Sequence, residues 1–219
     1  MQEGKGWKLE VVWFSEIGST HKYLIDEIKK GNIKEPALVA ADFQSDGVGS
    51  RGNSWEGKFG NLFCSFCVKE KHLPKDLQLA STSIYFSYLL KEVLSSYGSK
   101  IWIKWPNDFY IKDKKIGGTI TTKIGDNIIG SFGLNIVEAP PEFGILDLHV
   151  EPKKIVKDFL GMLEKKISWK KVFSKYKVEF QNSRDFSFHM GNEKKSLKDA
   201  KLCEDGSIEL NKRRVYSLR

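Results

Sequence analysis

The chain has 219 residues, 40% of them hydrophobic, which suffices for one full core and a small appended unit. Its 36 basic and 28 acidic residues leave a net charge of +8, which admits nucleic acid, a nucleotide or an acidic protein as partner without choosing among them. No run of about 18 apolar residues occurs and Met1-Gln2-Glu3-Gly4-Lys5 is no apolar leader, so neither a membrane span nor secretion is expected and the chain is placed in the cytoplasm. The odd count of three cysteines suits a reducing compartment, and the four histidines lack the H-x-x-x-H or H-E-x-x-H spacing of a zinc site.

Residues 9–14 read as a first strand, followed by a polar loop, Ser15 to Thr20. Ser19 or Thr20 can cap a helix over 21–30, with Leu24 and Ile28 on one face and Gly31 at its C-terminal stop. A second strand, 37–43, leads into residues 44–60, where five glycines in seventeen residues mark a long loop. Two nucleotide motifs are mimicked in it. Gly47-x-Gly49-x-x-Gly52 has the dinucleotide-binding spacing, and Gly52-x-x-x-x-Gly57-Lys58 begins like a P-loop. Neither is followed by the required helix, and Phe59 stands where a P-loop needs Ser or Thr. An amide-rich loop with one arginine, Arg51, remains, able to close over an anion.

Residues 62–68 read as an apolar strand, on which Cys64 and Cys67, three apart, point to opposite faces, so a shared metal or redox pair is not expected. The longest helix is expected over 75–97, with Phe86, Leu89, Leu90, Val93, Leu94 and Tyr97 as its core stripe. Ile101, Ile103 and Trp105 then alternate with Trp102 and Lys104 as a half-buried strand that Pro106 ends. A short strand, 109–111, turns at Lys112-Asp113-Lys114 and returns through Lys115 and Ile116 to Gly117-Gly118, aiming Asp108 and Lys115 into a common space. Strands over 118–124 and 127–137 follow; the second carries Gly130, Gly133 and Asn135, a sign of close ligand approach. Helices are expected from Pro152 and over 169–181. From Asp185 four short runs, 186–190, 196–203, 207–210 and 215–218, make a small β unit that must lean on the rest.

Three motifs together resemble the biotin protein ligase family: Gln44 with the Gly47–Trp55 loop, Lys104-Trp105-Pro106-Asn107-Asp108 with Lys115-Ile116-Gly117-Gly118, and Gly133-Leu134-Asn135. The resemblance implies an α+β fold, a class II synthetase-like mixed or antiparallel sheet flanked by helices, with a catalytic domain over 1–182 and an SH3-like β unit over 183–219. It also implies formation of biotinyl-5'-AMP from biotin and ATP with Mg²⁺, then transfer of biotin to a lysine of an acidic biotin carboxyl carrier protein. Lys115 and Asp108 match its catalytic residues, with Asp108 as the metal ligand. Ser19, Thr20, Gln44, Gly47, Gly49, Ser50, Lys115, Gly117 and Gly118 match its biotin-binding positions, the amides of Gly49 and Ser50 among them. Arg51, Trp55, Asn107, Asp108, Lys115 and Asn135 match its ATP and adenylate positions. The pattern starts within the first twenty residues, which implies the short form without an N-terminal DNA-binding domain and no binding to DNA. The same fold and acyl-adenylate logic would also serve a lipoate or octanoate ligase.

The chain departs from that family at several places. Val48, Ser50 and Asn53 stand where the family loop usually carries arginine, so easier release of the adenylate is expected. His21 replaces an asparagine after Ser-Thr, and Ser131 replaces a glycine in the G-x-G-x-N strand.

Overall fold

A computed structural model describes residues 9–49, 53–55, 57–190 and 193–216. In chain order it runs β1 (Glu10–Phe14), α1 (Thr20–Lys30), β2 (Ala37–Ala41), a ribbon of β3 (Gly47–Val48) and β4 (Ser54–Trp55), β5 (Leu62–Lys69), α2 (Thr82–Ser96), β6 (Trp102–Lys104), β7 (Asp108–Ile111), β8 (Lys114–Ile124), β9 (Asn127–Leu134), α3 (Pro152–Glu164) and α4 (Trp169–Glu179). The short strands β10 (Ser187–Met190), β11 (Glu193–Ser196), β12 (Lys201–Leu202), β13 (Ile208–Leu210) and β14 (Arg213–Val215) close it. Seven strands form one mixed sheet in the order β1-β2-β5-β9-β8-β7-β6, parallel only between β1 and β2.

Continuous apolar runs form the middle of the sheet because both its faces are covered. Leu38, Cys64 and Phe66 face the main core, where Phe66 meets Phe86 of α2 and Phe159 of α3. Val39, Cys67 and Ile129 face the other way, under Leu24 of α1. The two cysteines thus lie on opposite faces of β5, as a strand requires of residues three apart. Helix α1 begins on the Ser19 hydroxyl, which accepts the Lys22 N–H, and ends on Gly31 at φ 77°, as its sequence signals predict. No helix among the described residues is long and apolar enough to cross a membrane.

Three expectations are corrected. Helix α2 starts at Thr82 rather than at residue 75. Asp76 accepts the N–H groups of Trp169 and Lys170 at 3.1 and 2.9 Å, which pins the segment before α2 to the start of α4. The expected strand 196–203 is split, because Leu197 and Ala200 turn into the main core between β11 and β12. Lys104, placed by alternation on the open side of its strand, is only 8% exposed.

The C-terminal unit consists of the β10–β11 pair and the three-stranded β12-β13-β14 sheet. It docks on the strand that carries the Lys104–Asp108 motif. Trp105, 1% exposed, packs edge-on against Phe188 and donates from Nε1 to the Gly206 carbonyl at 2.8 Å, while its backbone N–H reaches the Ser183 hydroxyl at 3.0 Å. Replacing Trp105 by Phe keeps the ring contact and orphans that carbonyl. Urea unfolding of Trp105→Phe is expected to show a loss of about 1–3 kcal/mol with an unchanged slope.

Candidate active site

The hairpin β7–β8 builds one end of a cleft. Asp108 pairs with Lys104 on β6 and with Gly118 on β8. In a regular ladder Lys115, three residues before Gly118, points away from Asp108. The register shifts between Phe109 and Tyr110, so that Tyr110 pairs with Lys115, and this one-residue irregularity changes the face of every residue beyond it. Lys115 Nζ therefore reaches Asp108 Oδ1 at 2.7 Å, while Lys104 Nζ holds Oδ2 at 3.2 Å and lies 5.6 Å from the centre of the Tyr110 ring. Burial by itself raises the Asp108 pKa. The ammonium groups of Lys115 and then Lys104 outweigh it and hold the carboxyl below its ordinary value.

Asn107 sits beside this centre. Its Nδ2 donates to the Thr119 carbonyl, its own carbonyl accepts the Thr119 N–H at 2.9 Å, and its buried Oδ1 has no partner among the described residues. Across the cleft the Trp55 indole lies so close over Gly133 that a Cβ there would come within 2.7 Å of the ring. The buried Trp55 Nε1 also has no partner among the described residues.

The other end is neutral and polar. Thr20 donates its N–H and its hydroxyl to Gln44 Oε1 at 2.7 and 2.9 Å, and the Ser65 hydroxyl donates to Thr20 Oγ1 at 2.8 Å. Gln44 is thereby oriented with Nε2, its donor end, beside Gly47. Next to it His21 Nδ1 lies 2.7 Å from Ser131 Oγ, and burial lowers the His21 pKa to about 4. The cleft has a volume of about 360 Å³.

Ser19, Thr20, Gln44, Gly49, Trp55, Asn107, Asp108, Lys115 and Gly118 all line it. Gly47, Gly117 and Asn135 do not. Gly117 is required by packing, since a Cβ there would meet the Gly133 carbonyl at 2.4 Å. Asn135 is buried in the scaffold, between the Asn61 amide and the Gly144 carbonyl. The Gly49 N–H is engaged by the Asn53 carbonyl at 2.7 Å and is not a free donor. Ser50 and Arg51 lie outside the described residues.

Thr119, Ile120, Phe132 and Phe143 were not anticipated in the lining. Ile120 was within reach of sequence reasoning, because residues two apart on a strand share a face and it follows Gly118. Phe143 carries no such signal; it arrives on a loop held by the Gly144 N–H on the Lys115 carbonyl at 2.8 Å.

A magnesium ion resident on Asp108 does not fit this arrangement. Both carboxylate oxygens already carry an ammonium, which leaves Asp108 no free oxygen for a cation.

A profile of the biotin/lipoate A/B protein ligase family matches residues 13–136. The chain belongs to this family. Biotin acetyl coenzyme A carboxylase synthetase from Helicobacter pylori, solved with bound biotinylated ATP, is 38% identical, with a TM-score of 0.92 over 95% of this chain and 100% of that one. Biotin protein ligase from Aquifex aeolicus, in complex with biotin and ATP, shares the fold at 21% identity and a TM-score of 0.76, over 97% of each chain. The bifunctional ligase/repressor BirA of Escherichia coli (strain K12) is 35% identical over 127 residues, which are 55% of this chain and 38% of that protein. The chain thus spans less than half the length of that relative. The mixed sheet with its terminal SH3-like unit is the ligase family's catalytic fold.

Two outcomes follow from the charges of the site. Lys104→Met removes one cation from Asp108 at nearly constant volume and is expected to cost about 1.5–3 kcal/mol at neutral pH; the Asp108 carboxyl, followed by NMR titration, should protonate at a higher pH than in the unaltered chain. His21 is held neutral, so the unfolded chain binds an extra proton between the ordinary histidine value of 6.5 and the folded value of about 4. Stability is therefore complete above pH 6.5 and declines toward pH 4, and a His21→Gln variant should show a shallower acid limb in denaturant titrations.

Proposed function

We propose that the chain is an ATP-dependent biotin protein ligase acting in the cytoplasm. It joins biotin to AMP and then transfers the biotinyl group to a lysine of an acidic biotin carboxyl carrier protein. One observation carries this reading: a single cleft ends in a cation, Lys115, at one side and in fixed neutral hydrogen-bonding groups, Thr20 and Gln44, at the other. That polarity matches an acid whose carboxylate and polar ring lie at opposite ends. The bound biotinylated ATP of the Helicobacter pylori relative supports it.

In the first step a carboxylate oxygen of biotin attacks the α-phosphorus of ATP, and pyrophosphate leaves. Two anions must meet, so the requirement is a fixed cation between them and little else. The Lys115 ammonium fills that role, and Asp108, itself anchored by Lys104, holds it in place. Magnesium enters as part of the ATP substrate, held by the phosphates. Asn107 Oδ1 and Trp55 Nε1, an acceptor and a donor with no partner among the described residues, are available to the adenylate, and Arg51, Ser50 and the rest of the glycine loop to its phosphate. Gly47, Gly117 and Asn135 serve these contacts from behind by shaping the wall. In the second step the carrier lysine, as free amine, attacks the acyl carbon; the C–O bond to AMP breaks, AMP leaves and the amine loses a proton. The net charge of +8 suits an acidic carrier.

A lipoate ligase is disfavoured at the neutral end. The dithiolane ring of lipoate offers no acceptor to Gln44 Nε2, the donor that the Thr20 contacts leave pointing at the cleft, and a polar group left without its partner discriminates strongly. Incubation of the chain with ATP, Mg²⁺, biotin and a biotin-carrier domain should attach biotin to the carrier, with lipoate a poor substitute. Lys115→Ala should lower the rate of adenylate formation by about 10²–10³-fold. No biotinylation by the unaltered chain, or full activity of Lys115→Ala, would overturn the assignment.

A further inference from the structure

Two departures from the family pattern meet in space. His21 and Ser131 are 110 residues apart in the chain, yet His21 Nδ1 and Ser131 Oγ lie 2.7 Å apart and both residues line the cleft. The second ring nitrogen, Nε2, lies 3.2 Å from Thr122 Oγ1 on β8. Three polar side chains from α1, β8 and β9 thus form one chain of hydrogen bonds.

Its place is defined by the sheet. The Asp108–Lys115 centre sits over the row in which Asp108, Gly118 and Gly133 are cross-strand partners. Ser131 is two residues along β9, about 7 Å away and on the same face. Its direct partner on β5 is Ser65, whose hydroxyl begins the Ser65–Thr20–Gln44 chain. Two hydrogen-bonded chains therefore run side by side beneath the neutral end of the cleft.

The chemistry of Ser131 is the same for either tautomer of a neutral His21. A hydroxyl has one proton and two lone pairs, and a single bond to imidazole uses one of these three. Whether Ser131 donates to Nδ1 or accepts from it, at least one lone pair of Oγ stays open to the cleft. Resting on the ligase reading, we infer that Ser131 Oγ accepts a ring N–H of the substrate acid, a cyclic urea, and that His21 and Thr122 are positioning residues that fix the direction of that acceptor. The trio makes this chain select a ring with N–H donors over a plain acyl chain.

Pyrophosphate exchange with biotin and with octanoate tests this on the full chain. Ser131→Ala, His21→Phe and Thr122→Val are each expected to raise KM for biotin about 5- to 30-fold with kcat and the KM for ATP unchanged. Octanoate should be affected little, so the preference for biotin over octanoate falls. Thr122→Ser should restore the unaltered KM, and the Ser131→Ala, His21→Phe pair should lose no more than the larger single loss, because the two share one contact. Thr122 does not line the cleft, so Thr122→Val carries the test even if a change at His21 prevents folding. Unchanged KM for biotin in Thr122→Val and Ser131→Ala, or equal losses for biotin, octanoate and ATP, would overturn the inference alone. Absence of biotin-dependent exchange in the unaltered chain would overturn the ligase reading and this inference with it.

Discussion

A largely buried carboxylate between two lysines organises the charged end of the cleft. Taking Asp108 out of water is costly unless opposite charge compensates it, and here the ammonium groups of Lys104 and Lys115 do so from two sides. The two lysines have different surroundings. Lys104 is closed in by Tyr110 and belongs to the scaffold, whereas Lys115 stands at the cleft with more of its side chain open. The triad is thus asymmetric: one cation anchors the carboxylate, and the carboxylate in turn holds the other cation at the cleft.

That asymmetry depends on backbone irregularity. Without the register shift after Phe109, Lys115 would project from the opposite face of β8, and Asp108 would keep only Lys104. The same strand segment supports the C-terminal unit through Trp105, so the β7–β8 hairpin is braced from behind by Phe188 and the Gly206 carbonyl. The small β unit shares the main core through Phe188, Leu197 and Ile208 and is structurally part of the wall that holds the hairpin.

At the other end the sheet face carries a polar lattice. Ser65 and Ser131 occupy adjacent strands in register, and α1 lays Thr20 and His21 across them. Every hydroxyl in this lattice is engaged by a neighbour, which fixes its orientation before a ligand arrives and lowers the ordering cost of binding. The cleft therefore combines a charged end suited to anions with a neutral end suited to directional recognition.

Much of this was legible in the chain itself. Cap residues, glycine stops and apolar periods located the sheet and α1, α3 and α4, and the Lys104–Gly118 stretch announced its aspartate and lysine, because these signals act over a few residues of backbone. The failures share one cause. The start of α2 depends on Asp76 meeting α4, the break after β11 depends on Leu197 entering a distant core, and the burial of Lys104 depends on Asp108 and Tyr110 closing over it. Gly117 and Asn135 looked like ligand contacts but answer to packing against Gly133 and to hydrogen bonds with Asn61. Sequence alone determined which side chains are present and which local elements carry them. Only the tertiary structure decided which distant side chains meet, since the packing of α1 against the sheet brings His21 to Ser131 across 110 residues of chain, a contact that no local backbone signal encodes.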